Sequence, residues 1–262
     1  MIKFINYFLI FLLVLTLTIT TQVGGIILLL SLWISKRWKQ TFRFKKLIIF
    51  LSIYVVSTFA VVPFLAPYFD REKIEASDNL KSGSFMTVLM NRNYVNPELN
   101  TLLKQISINT PIVFLDANFP FFDGFPLLPH LSHNDGRKVD LSFIYKNENG
   151  ELIAATKSVS GYGVFENPDD DEFNQTNFCK ENGYFQYDYP KYLTFGTKNK
   201  YLTFSKEGTA NLIREIVGYN SVEKVFIEPH LVKRMNLRSD KIRFHGCRAV
   251  RHDDHIHVQV NN

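Results

Sequence analysis

Hydrophobic and polar positions follow two regimes along this chain. Across residues 4–35, and again across 47–69, no side chain is charged. A helix needs roughly 20 apolar residues to cross about 30 Å of hydrocarbon, so each stretch is long enough to span a membrane. The second fits one crossing. The first exceeds one perpendicular helix and is interrupted at 20–25 (TTQVGG). It reads either as one tilted helix with an interfacial extension or as two short helices in a hairpin. The single helix is the expectation, because hairpin arms fall near the lower length limit.

Beyond Phe69 the run DREKIEASDNLKSGS is charged and polar, so 70–95 reads as a juxtamembrane linker and 96–262 as a folded domain. NPELNTLLKQIS has apolar residues at helical spacing behind an Asn-Pro start, predicting a helix over 97–106. TPIVFLDANF (110–119) reads as a buried strand. PFFDGFPLLPHLSHNDGRK is a Gly- and Pro-rich loop, and VDLSFIYKNENGELIAAT predicts two strands joined by an Asn-Gly turn. SKEGTANLIREIVGY predicts a helix capped by Ser205. VEKVFIEP then reads as a strand, HLVKRM as a short helix and AVRHDDHIHVQV as a closing strand. Residues 160–200 fit no single pattern. Their Asp169, Asp170 and Asp171 read as a solvated loop tip, with a calcium site as the sharper alternative. Strands and helices mix without βαβ regularity, which makes the class α+β, with a central antiparallel sheet.

Charge orients the apolar stretches. Between them Lys36, Arg37, Lys39, Arg43, Lys45 and Lys46 occur without one acid, a strong positive-inside signal. The loop 36–46 is therefore expected in the cytoplasm. The chain after Phe69 is expected on the outer side of the cytoplasmic (inner) membrane, on the periplasmic or cell-wall face. The net charge of the whole chain is +5, yet the part beyond residue 69 carries a net −2. Nothing there suggests a nucleic-acid partner. Only Cys179 and Cys247 occur. They can pair in an oxidising compartment, but spacing carries no geometry and leaves both states open. Neither has a partner at short spacing, which argues against a cysteine zinc site.

Five of the seven histidines lie in two short stretches more than a hundred residues apart, LPHLSHNDGRKVDL and HDDHIHV. On a strand, residues two apart face one side, so His255 and His257 project together while Ile256 points away. His133 and Asp140 are seven apart and would oppose each other on a continuous strand. A turn at Gly136 lets both aim at one point. Two imidazoles and a carboxylate make the three-ligand set of a catalytic zinc ion, which lowers the pKa of water toward about 7 and polarises a carbonyl. The bland reading is surface decoration: a histidine pair at the end of a chain is common, and H-x6-D alone is weaker still.

These residues resemble the penicillin-insensitive murein endopeptidases, within a wider group of zinc peptidases that includes lysostaphin-like enzymes, D-Ala-D-Ala peptidases and hedgehog-type domains. The family pattern is H-x-x-H, six residues, D, then H-x-x-H-x-H. Here it reads His130, His133, Asp140, His252, His255, His257, with every spacing kept. Gly136 sits where the wider group has its glycine, and VEKVFIEPHLVKRM is similar to the family's strand and short helix before the last motif. The resemblance covers 110–260. It implies Zn2+ held by His133, Asp140 and His257, with His255 and His252 as catalytic histidines. His130 would stand beside them, and Asp253 and Asp254 would orient imidazole rings. His230 and His245 match no motif position and read as surface residues. The chain departs from the family in its membrane segments, in having two cysteines rather than several disulfides, and in the region between the motifs.

The implied function is a membrane-anchored zinc peptidase acting on peptidoglycan peptides. The alternative of another class is a non-catalytic zinc module that binds wall peptides or a partner protein. Retention of both accessory histidines argues for the enzyme.

Overall fold

The computed structural model describes residues 2–261. The first apolar stretch forms two helices, α1 (Ile2–Thr21) and α2 (Gly24–Arg37), rather than the expected single one. The break falls at Gln22, whose backbone is left-handed with φ of +64°. A Cβ on Gly25 would lie 2.0 Å from Thr18 Oγ1, so only glycine lets α2 start this close to α1. The Gln22 amide also clasps Phe121 of the folded domain. Its Nε2 donates to the Phe121 carbonyl at 2.7 Å, and its Oε1 accepts from the Phe121 N–H at 2.9 Å. The basic segment then leads into α3 (Lys45–Val56), which continues through a π turn at Ser57–Val61 into α4 (Val62–Leu65) and a 3-10 turn at Ala66–Phe69. Pro63, which has no N–H to donate, accounts for the irregular turn. Two segments, Phe4–Thr21 and Lys45–Phe69, are long and apolar enough to cross a membrane. At 14 residues α2 spans only about 21 Å.

Residues 70–95 are not a linker. They contain β1 (Glu72–Lys73), β2 (Leu80–Ser82), α5 (Phe85–Leu89) and β3 (Tyr94–Val95), and β2 joins the main sheet. Ile74 and Leu80 are buried in the core, apolar anchors among charges that hide the pattern. The predicted helix is α6 (Pro97–Asn109), with the Asn96 side chain accepting from the Leu99 N–H at 2.9 Å. Then come β4 (Ile112–Asp116), β5 (Lys138–Ser142), β6 (Ile144–Lys146) and β7 (Leu152–Ala154). The stretch read as one strand before the Asn-Gly turn divides at Phe143. Its first half enters the main sheet, and its second pairs with β7 and with β8 (Thr203–Phe204) in a small sheet.

Residues 160–200 are mostly loop around α7 (Gln175–Glu181) and a 3-10 turn at Phe185–Tyr192. Helix α8 (Lys206–Gly218) starts at Ser205, whose hydroxyl accepts from the Gly208 N–H at 3.1 Å. The chain closes with β9 (Val222–Phe226), α9 (Pro229–Arg234), β10 (Ile242–Arg243) and β11 (His255–Val260). The closing strand begins only at His255, so the two aspartates before it lie in a turn.

The six-stranded sheet runs β10-β9-β11-β5-β4-β2. Its four inner strands are antiparallel, as expected, whereas the edge strands β10 and β2 pair in parallel. The class is α+β. Leu99, Leu103 and Ile106 of α6 and Leu212, Ile213 and Ile216 of α8 share one core with Val139, Leu141, Ile256 and Val258. Each such side chain contributes about 1.5–3 kcal/mol on burial. Strand alternation therefore turns Asp140, Ser142, His255 and His257 to the other face.

Candidate metal centre

Sheet register builds the site. His257 on β11 stands opposite Asp140 on β5, Asp140 stands opposite Asp116 on β4, and His257 also faces Phe226 on β9. A row of side chains thus crosses four strands at one level. His133 arrives from the loop between β4 and β5. Gly136, at φ of +80°, turns that loop, and a Cβ there would lie 2.5 Å from the Arg71 guanidinium carbon. The expected turn at this glycine is present.

Three donor atoms converge. His257 Nδ1 lies 2.8 Å from Asp140 Oδ1 and 3.2 Å from His133 Nε2, and His133 Nε2 lies 3.3 Å from the same carboxylate oxygen. All three residues are buried, and together they can hold a metal ion. His133 Nδ1 lies 2.9 Å from the Ala117 carbonyl. A carbonyl can only accept, so Nδ1 carries the proton and Nε2 presents its lone pair to the cluster. Burial draws His257 down to about 4 against the pull of Asp140, keeping its imidazole neutral at pH 7. Burial opposes charge on Asp140, but His133 and His255 hold its carboxyl well below the usual range.

The second oxygen of Asp140 accepts from the Tyr162 hydroxyl at 2.8 Å and lies 3.2 Å from His130 Nδ1. His130 also reaches Asp116 at 3.1 Å, so it bridges two carboxylates. Asp116 is in turn gripped by Arg92, whose Nε donates to one oxygen at 2.8 Å and whose Nη2 donates to the other. Asp116, His130 and His133 form a second group able to hold a metal by geometry. The Arg92 charge already neutralises Asp116, so the group around Asp140 and His257 is the better cation site.

The remaining histidines line the same cleft. His255 Nδ1 meets Asp254 Oδ1, while Asp254 Oδ2 accepts from the Gly163 N–H at 2.6 Å. Asp254 thus orients an imidazole, as the motif implies. Asp253 does not: it pairs with Arg251 and stays 4.0 Å from His230. The His252 ring centroid sits 4.8 Å from that of His255, and its backbone N–H donates to Glu228 Oε1 at 3.0 Å. Glu228 also accepts from the Tyr187 hydroxyl at 2.6 Å. Burial first, then the neighbouring imidazoles His255 and His257, push His252 well below the usual histidine value.

Of the two residues read as surface histidines, His245 is exposed, as read, whereas His230 is not. His230 is buried and hydrogen-bonds through Nε2 to the Glu166 carbonyl at 2.8 Å. His245 stacks on His252 with centroids 5.4 Å apart and lines the cleft. Asp116, Arg92 and Tyr162 went unnoticed in the sequence because none belongs to a spaced motif. Cys179 and Cys247 form a disulfide, which fastens the segment carrying His245 and Arg248 to α7. The cleft holds about 870 Å3, and Gln186, Tyr189, Tyr192 and Arg248 form its outer wall. No protein-family model matches the chain, and comparison with curated proteins returns no match.

Proposed function

We propose that this protein is a membrane-anchored zinc peptidase that hydrolyses amide bonds in peptidoglycan peptides on the outer side of the cytoplasmic membrane. The observation that carries the reading is the meeting of His133, Asp140 and His257 at one buried point beside a large open cleft. Tetrahedral zinc bonds of about 2.0–2.1 Å put ligand atoms roughly 3.3 Å apart, close to the 2.8–3.3 Å found among these donors. Two imidazoles and one carboxylate also match zinc in softness. When bound there, zinc supplies Lewis acidity that polarises a carbonyl and acidifies water.

The protein's own groups supply the proton transfers. Asp254 holds His255 through Nδ1 and leaves Nε2, 3.8 Å from Asp140 Oδ2, free to exchange a proton, so His255 at the lining of the cleft takes a proton from water and returns it to the leaving amine. Burial opposes charge on His255, yet Asp140 and Asp254 raise its pKa, which suits a group that passes through the imidazolium. Neutral His252, turned toward the same space, donates an N–H to the developing oxyanion. Arg248 and the tyrosines hold the peptide. Six positive charges at the end of the helical bundle opposite Gln22 support a cytoplasmic loop and an extracytoplasmic domain.

The test is digestion of cross-linked muropeptides by the purified full chain, with and without a zinc chelator. Chelator-sensitive cleavage that is lost in Asp140→Ala and His257→Ala is expected. One zinc per chain without cleavage of any amide would leave the binding module as the function.

A further inference from the structure

A second cavity adjoins the metal cleft. It holds about 460 Å3 and shares Pro129, His130 and Leu193 with the cleft as a common wall. Its lining is mostly apolar, with Met86, Met90, Leu115, Leu128, Val159 and Phe195 around it and Thr20 of α1 at one side. At its inner end stand Arg92, Asp116, His130 and Tyr162. The space is thus amphiphilic: apolar toward the helical bundle and polar toward the metal centre. Met86, Leu128, Val159 and Phe195 at the rim are 42–76% exposed and form an apolar surface patch.

The Tyr54 hydroxyl donates to the Leu89 carbonyl at 2.7 Å, which sets α5 beside α3. Tyr54 lies nine residues beyond Lys45, about 14 Å along the helix, within a hydrocarbon core of about 30 Å. From there to Phe69 the helix is apolar on both sides. Val62 and Ala66 are buried against Tyr94 and Phe121 of the domain, whereas Val55, Val56, Phe59, Phe64 and Tyr68 remain exposed. With Lys45–Phe69 crossing the bilayer as proposed above, the domain would rest at the depth of the outer leaflet, with the mouth of the cavity toward acyl chains.

Resting on the peptidase reading above, we propose that this cavity seats one hydrocarbon chain of a bilayer-tethered substrate, so that the amide presented to the metal centre belongs to a lipid-anchored peptide. The chain enters between α5 and the end of α1. The polar head emerges past His130 into the cleft. A free wall peptide would have no use for such a space.

The experiment uses the full chain in nanodiscs and, as probe, a tripeptide N-acylated with a palmitoyl chain bearing a mid-chain diazirine. Irradiation should label Met86, Met90 or Leu128. The label should fall at least tenfold in Met90→Trp and in Val159→Trp, which fill the cavity from partly exposed positions. Excess unlabelled N-palmitoyl tripeptide should compete, and its N-acetyl counterpart should not. Label confined to Val55, Val56 and Phe64, undiminished labelling in both variants, or equal competition by the acetyl peptide would overturn the proposal. Cleavage is scored on the same samples. Labelling without cleavage removes the peptidase reading and keeps the chain site; cleavage without labelling removes the chain site.

Discussion

Replacing Tyr162 with phenylalanine deletes one oxygen and leaves the packing of the ring. That oxygen donates to Asp140 Oδ2 at 2.8 Å, and both residues are buried. Without it, the carboxylate oxygen that faces away from the metal donors keeps His130, at 3.2 Å, and the more distant His255 Nε2, at 3.8 Å. A hydrogen bond to a charged group is worth about 1.5–3 kcal/mol. Partners that orient a ligating carboxylate change metal affinity by about 10–100-fold, equivalent to roughly 1.4–2.7 kcal/mol. The two ranges overlap, so Tyr162→Phe should weaken zinc binding by about 10–100-fold while Asp140→Ala abolishes it. Competition against a chromophoric chelator at neutral pH measures both, and near-ultraviolet circular dichroism checks that the fold is kept. Affinity within twofold of the parent in Tyr162→Phe would refute the idea that Asp140 is a ligand aligned by this hydroxyl.

Further expectations follow from the same geometry. His255→Ala should keep its zinc and lose turnover by about 10²–10⁴-fold; equal zinc loss in His255→Ala and His257→Ala would reassign the ligands. Burial disfavours charge on His130, but Asp116 and Asp140 outweigh it and raise the pKa from 6.5 to about 9. Its folded value exceeds its unfolded one, so this stabilisation is complete below pH 6.5 and is lost as pH rises through about 9. The full shift corresponds to roughly 3 kcal/mol. Denaturant titration of the metal-free chain should show a decline of that order, which His130→Gln should flatten; an unchanged slope in the variant would count against the bridge. Reducing Cys179–Cys247, which lie 68 residues apart, should lower stability by roughly 4 kcal/mol and loosen the cleft wall around Arg248. An unaltered melting temperature after confirmed reduction would contradict this.

The site was legible in the sequence to the extent that it rests on strand periodicity and spacing. Alternation placed His255 and His257 on one face with Ile256 in the core, and Gly136 marked the turn that brings His133 round. Groups that reach the site through tertiary contact left no such trace. Tyr162 sits in a stretch without period, Arg92 is a lone charge between Lys81 and Glu98, and His245 approaches only because β10 and the disulfide carry its loop across the sheet. The same limit applies to the fold. Residues 70–95 look like a linker because the first of their core residues, Ile74 and Leu80, are isolated among polar neighbours, and an edge strand of three residues shows no periodicity. The helical hairpin was hidden for a different reason. Length favoured one helix, but the close approach of Gly24 and Gly25 to α1 and the clasp of Gln22 on Phe121 decide for two.

His133, Asp140 and His257 form a group able to hold a metal ion, proposed above to be zinc. Zinc K-edge X-ray absorption on the purified full chain, with metal content measured on the same sample, tests it most directly. The expected result is one zinc per chain with two imidazole nitrogens and oxygen ligands at about 2.0–2.2 Å, and loss of that signal in His257→Ala. Zinc absent from the parent chain, bound through sulfur, or retained unchanged in His257→Ala would contradict it.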